Sequence, residues 1–423
     1  MLFRQHSGIS TDTRKLKKGN LFFALSGEKF NGNRFAAEAL EKGAAAVIVD
    51  DPEFVQENDS RYILVENTLN ALQELAKFHR QQFDIPLLAI TGTNGKTTTK
   101  ELCAAVLSSE KTICFTKGNF NNHIGVPLTL LSIREETSMV IVEMGANHPD
   151  EIAKLCEMAQ PTHGLITNIG KAHLEGFGDF QGVIKAKKEL YQFLKNNAGT
   201  VFVNKDNPLL MELSEGITGI TYGNPPADVE GKLIKNGLLT EIIWYRETGN
   251  TNIQTQLYGS YNFGNVMATI AVGKHFGISD SGITRALKSY QPDNNRSQLY
   301  QTQNNTLILD AYNANPESMA LAIDDFAAHR FSNPVLILGD MFELGKSAEE
   351  EHNKIVERLK ITDFQQVIFV GKDFYKTVPA HLYRKFVTTK EVAQYLKSHP
   401  IKDAHILIKG SRGMQLENII QYL

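Results

Sequence analysis

Ile90-Thr91-Gly92-Thr93-Asn94-Gly95-Lys96-Thr97-Thr98 is the most informative run in the chain. The apolar stretch Ile85-Pro86-Leu87-Leu88-Ala89-Ile90 leads into it and predicts a buried strand. Downstream, Thr99, Leu102, Cys103 and Val106 fall on one face of a helix. Strand, glycine turn and helix together make a phosphate cradle. Gly92 and Gly95 let backbone N–H groups approach phosphate oxygens, and the helix N-terminus adds free donors. Nucleotide phosphates are therefore expected on Gly92, Thr93, Asn94, Gly95, Lys96, Thr97 and Thr98. Lys96 would reach the terminal phosphates and Thr97 would offer its hydroxyl to Mg²⁺. The general pattern asks for a further glycine at position 90, where this chain has Ile90.

Composition narrows the class. A chain of 423 residues predicts two or three domains, and 42% hydrophobic residues support real cores. A net charge of −3 gives no electrostatic reason to expect nucleic acid, so positive charge for an anionic substrate must be local. Cys103, Cys114 and Cys156 form neither an even set nor a metal spacing, and core packing is expected. Met1-Leu2-Phe3-Arg4-Gln5-His6 does not read as a signal peptide, and no apolar run approaches a membrane span. A cytoplasmic monomer without stable membrane association is expected.

The chain divides into three blocks. Residues 1–82 alternate strands at 20–25 and 44–49 with helices at 35–42 and 69–82, a small α/β unit. Residues 83–290 alternate strands such as Met139-Val140-Ile141-Val142 and Gly164-Leu165-Ile166-Thr167 with helices at 150–159 and 183–194, predicting a mostly parallel doubly wound sheet. Short β-rich runs across 217–258, around Trp244 and the Gly249-Asn250 turn, predict appended hairpins. Residues 291–423 carry strands at 306–310, 335–339, 367–371 and 405–408, a second doubly wound sheet. The run 291–298, rich in Pro, Asp and Asn, reads as the hinge.

Polar residues stand where such sheets place ligands, at strand ends. Glu143 could hold the Mg²⁺ that bridges the phosphates or simply be a solvated strand end. His173, in a glycine-rich loop, could ligate a second divalent ion or be a surface histidine. Asn262 and Asn265 could cap the following helix or face a nucleotide. Asp310 suits a ribose hydroxyl, and Asn313 and Asn315 suit the turn before Pro316. Lys185, Lys187 and Lys188 read by themselves as the basic face of a solvated helix.

These pieces together resemble the Mur ligases, the ATP-dependent family that adds amino acids to the peptidoglycan precursor. The resemblance rests on Thr91-Gly92-Thr93-Asn94-Gly95-Lys96-Thr97, Glu143-Met144-Gly145, His173-Leu174-Glu175-Gly176 and Ala186-Lys187-Lys188-Glu189. Asp310-Ala311-Tyr312-Asn313-Ala314-Asn315-Pro316 with Ser318-Met319 is most similar to the member that adds D-alanyl-D-alanine. Gly339-Asp340-Met341-Phe342-Glu343-Leu344-Gly345 with His352, and Lys409-Gly410-Ser411-Arg412, support that reading. The first block resembles the same member through Asp12-Thr13-Arg14 and Gly19-Asn20-Leu21-Phe22. One turn departs: the common Asp-Gly-His reads Asn31-Gly32-Asn33, which leaves the uridine contacts open.

The resemblance implies an α/β protein of three domains: an N-terminal uridine-binding unit, a central P-loop sheet with hairpins, and a C-terminal Rossmann-like domain. It implies ATP and Mg²⁺ as cofactors, with UDP-N-acetylmuramoyl tripeptide and D-alanyl-D-alanine as substrates joined through an acyl phosphate. Lys96, His173 and a carbamylated Lys187 would serve catalysis, with Thr97, Glu143, His173 and Lys187 around metal. Asn262, Asn265 and Asp310 would meet the nucleotide. Asp12, Thr13, Arg14, Asn313, Asn315, Ser411 and Arg412 would meet the other substrates. A folylpolyglutamate synthase-like ligase or a non-catalytic nucleotide-binding homologue are the alternatives.

Overall fold

The computed structural model describes residues 8–234, 237–360, 364–379, 381 and 383–423. The opening residues Met1 to His6 lie outside them. The N-terminal unit is a parallel four-stranded sheet in the order Ile9–Ser10, Leu21–Phe23, Ala46–Val49, Tyr62–Leu64. Helix Thr68–Arg80 follows, N-capped by the Asn67 side chain, and Asp50 binds the Thr68 N–H and hydroxyl at 3.0 and 2.9 Å. Leu72 and Ala76 of this helix enter the same apolar cluster as Leu87, Val140 and Leu155 of the central block.

The phosphate-loop strand Leu87–Thr91 lies inside the central sheet, between Met139–Glu143 and His163–Ile166. All five residues of Leu87–Thr91 and of Met139–Glu143 are buried, because helices cover both faces. Parallel strands Thr200–Asn204 and Thr218–Gly223 extend the sheet on one side and Ile113–Phe115 on the other. Chain order reverses beside Leu87–Thr91, which puts a crevice at the carboxyl ends of the central strands. Val229–Ile234, Leu239–Trp244 and Thr251–Tyr258 then form the antiparallel hairpins.

The ladder continues beyond them. Leu257 pairs with Gln298, so the central sheet and the C-terminal sheet join into one 15-stranded ladder. Gln298, read from sequence as the end of a hinge, begins strand Gln298–Gln301, antiparallel to Thr306–Asp310. This strand is short and half-exposed, so it carries no apolar run that sequence periodicity could detect. His405–Lys409, Pro334–Gly339, Gln366–Val370 and Arg384–Phe386 complete the parallel C-terminal sheet.

Arg80 fastens the first block to the second. Its buried guanidinium donates to the carbonyls of Ala159, Phe83 and Ile85 at 3.1, 2.6 and 3.0 Å. Truncation strands three carbonyls, each costing about 1–3 kcal/mol when left unsatisfied in a buried site. Arg80→Ala should lower unfolding free energy by about 3 kcal/mol in urea titration. A loss below about 0.5 kcal/mol, the level of an ordinary surface substitution, would refute this role.

Candidate active site

The carboxyl ends of the central strands open into a cavity of about 1020 Å³. Its wall combines Gln73, Glu74 and Lys77 of the N-terminal unit, the phosphate loop, and Tyr312, Asn315 and Arg412 of the C-terminal block. Helix Lys96–Leu107 starts from Gly95 at φ 79°, with no side-chain cap and no acidic residue in its first turn. Its terminal N–H groups and positive dipole end are left for an anion. A Cβ on Gly92 would lie 2.0 Å from the Thr167 hydroxyl, and one on Gly95 2.6 Å from Asn265 Oδ1. Lys96 is folded back on the loop, donating to the carbonyls of Gly92 and Thr93 at 2.6 and 3.0 Å. Burial pushes its amine down to about 8, against the opposing pull of Glu143.

Glu143 is buried at the end of its strand. Its Oε1 accepts from the Thr97 hydroxyl at 3.1 Å and from Asn121 at 2.8 Å. Its Oε2 is buried without a hydrogen-bond partner among the described residues, 3.8 Å from the Lys100 amine. Thr97 Oγ1 and Glu143 thus form one oxygen-rich corner, not a solvated strand end.

The strand before His173 ends at Ile166. The chain turns away there because Thr167 and Asn168 serve the phosphate loop. The Thr167 hydroxyl donates to Asn94 O at 2.6 Å, and Asn168 Oδ1 accepts from Asn94 N at 2.9 Å. His173 is half-buried in the cavity wall, with its Nδ1 against the carboxylate of Glu343 from the C-terminal block. That pairing holds the Glu343 carboxyl below the usual range.

Asn262 is buried and makes no side-chain cap. It donates to Tyr258 O at 2.8 Å and accepts from Asn265 at 2.8 Å, and Asn265 accepts from Thr99 at 3.1 Å. The two asparagines brace the start of the phosphate-loop helix and line the cavity. Asp310 lines it too, with its carboxylate on Lys409 at 2.5 Å. Asn315 caps helix Pro316–Ala328 and reaches across to Asn94 at 2.7 Å, while Asn94 donates to Glu317 at 3.4 Å. Asn313 and Arg412 line the cavity, and Asn313 Oδ1 accepts from Ala314 N.

The three lysines of helix Phe180–Asn196 separate cleanly. Lys185 and Lys188 are exposed, while Lys187 is buried, 5.5 Å from the centre of the Phe177 ring. Burial first, then the charge of Lys96, pushes the Lys187 amine down to about 7.

Other expected residues stand apart. Asp12 and Arg14 pair with each other at 2.8 Å, and neither they nor Thr13 line the cavity. The Ser411 hydroxyl is buried between Phe342 N and Ala314 O. Asp340, His352 and Asp373 gather like metal ligands. Yet the Asp340 carboxylate accepts the N–H groups of Asp373 and Phe374, and His352 Nε2 accepts that of Met341. They hold turns of the C-terminal sheet. The sequence reading passed over Asn121, Asn168, Lys100, Glu317 and Arg296, whose guanidinium stacks 3.7 Å over Tyr312. The asparagine-dense run 119–122 was the available signal for Asn121. Arg296 sits inside the run read only as a hinge.

Lys100 is fully buried, 2.7 Å from Glu101 and 3.8 Å from Glu143. Removing one partner of a buried pair leaves an uncompensated charge, costing about 3–5 kcal/mol. Lys100→Met should therefore destabilise the apo chain by about 3 kcal/mol, measured by urea unfolding. An unchanged midpoint would show that Glu143 needs no counter-charge.

Known proteins share this architecture along its whole length. The models described as "Mur ligase family, catalytic domain", "Mur ligase middle domain" and "Mur ligase, glutamate ligase domain" match residues 5–80, 90–273 and 295–412. The UDP-N-acetylmuramoyl-tripeptide--D-alanyl-D-alanine ligase of Bacillus subtilis (strain 168) is 35% identical, covering 98% of this chain and 93% of its own. A crystal structure of MurF from Acinetobacter baumannii superposes with a TM-score of 0.87 at 29% identity, covering 98% of this chain and 92% of that one. MurF from Thermotoga maritima, solved in complex with ADP, gives 0.86 at 25% identity over 100% and 97% of the two chains. Likeness of this extent, carried by a phosphate loop and strand-end carboxylate already in place, makes the chain a member of the Mur ligase family.

Proposed function

We propose that this chain couples ATP cleavage to amide formation, joining D-alanyl-D-alanine to UDP-N-acetylmuramoyl tripeptide. The observation that carries the proposal is a single cavity whose wall combines the N-terminal helix, the phosphate loop and the Asp310–Asn315 turn. The full-length relatives named for this reaction support it. The reaction consumes ATP, which the cytoplasm supplies.

The tripeptide's terminal carboxylate attacks the γ-phosphorus, and ADP leaves. The D-alanyl-D-alanine amine then attacks the acyl carbon; phosphate leaves and the amine proton is lost. Two anions meet in the first step, so local positive charge is decisive. Lys96 would exchange its carbonyl partners for phosphate oxygens, and Arg296 adds a second cation to the cavity wall. Asn94, held by Asn315 and Glu317, ties the loop to the C-terminal wall, so that closure and phosphate binding act together.

The residues present fit Mg²⁺. Glu143 Oε2 is buried with no hydrogen-bond partner among the described residues, and the Thr97 hydroxyl is on the same carboxylate. Thr97, Glu143, His173 and a carbamylated Lys187 would hold it. When bound, it supplies positive charge that neutralises the phosphates. Lys187 suits carbamylation because its amine is lowered to about 7, so a sizeable neutral fraction exists at neutral pH. The neutral nitrogen bonds to the carbon of CO₂ and releases one proton, leaving an anionic carbamate.

Phosphate release should require the UDP-tripeptide, with D-alanyl-D-alanine consumed in step. Efficient release with glutamate and a folate acceptor instead would transfer the assignment to a folate-type ligase. Lys96→Ala should abolish ligation in a folded chain, and near-normal turnover would remove the loop from the chemistry.

Lys187→Ala should lose more than about 100-fold in turnover, the scale of losing a main electrostatic group. Lys185→Ala and Lys188→Ala should stay near wild type. Formate or acetate should partly restore Lys187→Ala. The sign of the pH effect follows from burial. Below about pH 7 the amine is protonated, so activity should fall and added bicarbonate should matter most there. The unmodified charged amine also opposes folding, fully below about pH 7 and vanishing as pH rises towards the ordinary lysine range. Lys187→Met should therefore melt no lower than wild type at pH 7. An active Lys187→Met would return this lysine to a packing role.

A further inference from the structure

His173 and Glu343 come from different blocks yet meet in the cavity wall. His173 begins the short helix Leu174–Phe177, and Glu343 lies in the turn after strand Pro334–Gly339. Both hold left-handed backbone, φ 52° and φ 64°, a region that side-chain-bearing residues seldom adopt. Such outliers persist where surrounding structure over-determines them, and they cluster at functional sites. Gly345, also left-handed at φ 54°, brings the same turn so close that a Cβ there would lie 3.3 Å from the Glu175 Cβ. The approach of these two loops is therefore built on both sides, not a chance crossing of long side chains.

The contact with Glu343 is made by one ring nitrogen. Nδ1 meets the Glu343 carboxylate, and no other side-chain partner of either ring nitrogen is found among the described residues. In the neutral ring whose proton sits on Nδ1, facing the carboxylate, the lone pair is on Nε2. Ligating histidines are commonly held this way, by a carboxylate on the other nitrogen that sets tautomer and ring orientation.

The geometry points to Glu343 as a positioning residue: docking of the C-terminal block brings its carboxylate to His173 Nδ1 and so readies Nε2 for the divalent ion. This rests on the function proposed above and on His173 as a ligand. It adds a mechanism by which the metal site senses domain closure. Phe177 packs edge-on against the His173 ring and lies under the Lys187 amine. One aromatic ring thus lies against both His173 and Lys187.

Mn²⁺ titration in the presence of ADP, followed by electron paramagnetic resonance, tests this without turnover. The wild-type complex should show histidine ¹⁴N modulation of the Mn²⁺ echo, and His173→Ala should abolish it. Glu343→Ala should weaken Mn²⁺ binding about 10–100-fold and lose most of the nitrogen modulation. Glu343→Gln, which keeps an acceptor for Nδ1–H, should lie between them. In ligation, kcat should fall while KM for ATP changes little, because the phosphate loop is untouched. Wild-type Mn²⁺ affinity and nitrogen modulation in Glu343→Ala would overturn the inference and leave a mere clasp between blocks. So would absence of nitrogen modulation in the wild type. Failure of the wild-type enzyme to form the amide would instead overturn the proposed function.

Discussion

No side chain fits at Gly92 or Gly95, and the site depends on that constraint. The space a Cβ would take is filled by the Thr167 hydroxyl and the Asn265 amide. Those groups belong to the next strand's exit and to helix Phe263–His275, so the phosphate loop is gripped from two sides. Thr167 and Asn168 hold Asn94 from one side, and Asn265 braces Thr99 from the other. A loop with free N–H groups is entropically costly to hold open. Here neighbouring polar side chains hold it open before any anion arrives.

The same loop is where the blocks meet. Asn94 is bonded to Asn315 and Glu317, His173 to Glu343, and Arg80 to the carbonyls that precede the central strand. Each link joins an element of one block to an element of another at the cavity wall or just behind it. The continuous ladder through Leu257 and Gln298 adds a backbone connection between the central and C-terminal sheets. A substrate that bridges the blocks therefore acts on contacts that already include the phosphate loop.

Burying Lys100, Lys187 and Glu143 together is expensive in a dry interior. Lys100 offsets part of the Glu143 charge, whereas among the described residues no anion pairs with Lys187, and burial lowers its amine to about 7. A buried cation beside an aromatic ring and a second cation loses its proton more readily.

The elements around the phosphate loop were legible because their physics is local. An apolar run, two glycines and a helical stripe specify strand, turn and helix without reference to distant residues. Four strands of the third block were equally clear, since burial on both faces leaves continuous apolar runs, whereas the short, partly exposed Arg384–Phe386 was not read. Strand Gln298–Gln301 was not legible, because its half-exposed residues leave no periodic signal. Among the three lysines of one helix, spacing alone could not tell the buried Lys187 from the exposed Lys185 and Lys188; the packing of Phe177 and the neighbouring strands separates them. Partnerships such as Asn94 with Asn315 and His173 with Glu343 join residues more than 150 positions apart. Sequence determined which chemical groups were available and which local turns could present them. Tertiary structure alone decided which groups meet, because contact across blocks depends on packing that no local pattern encodes.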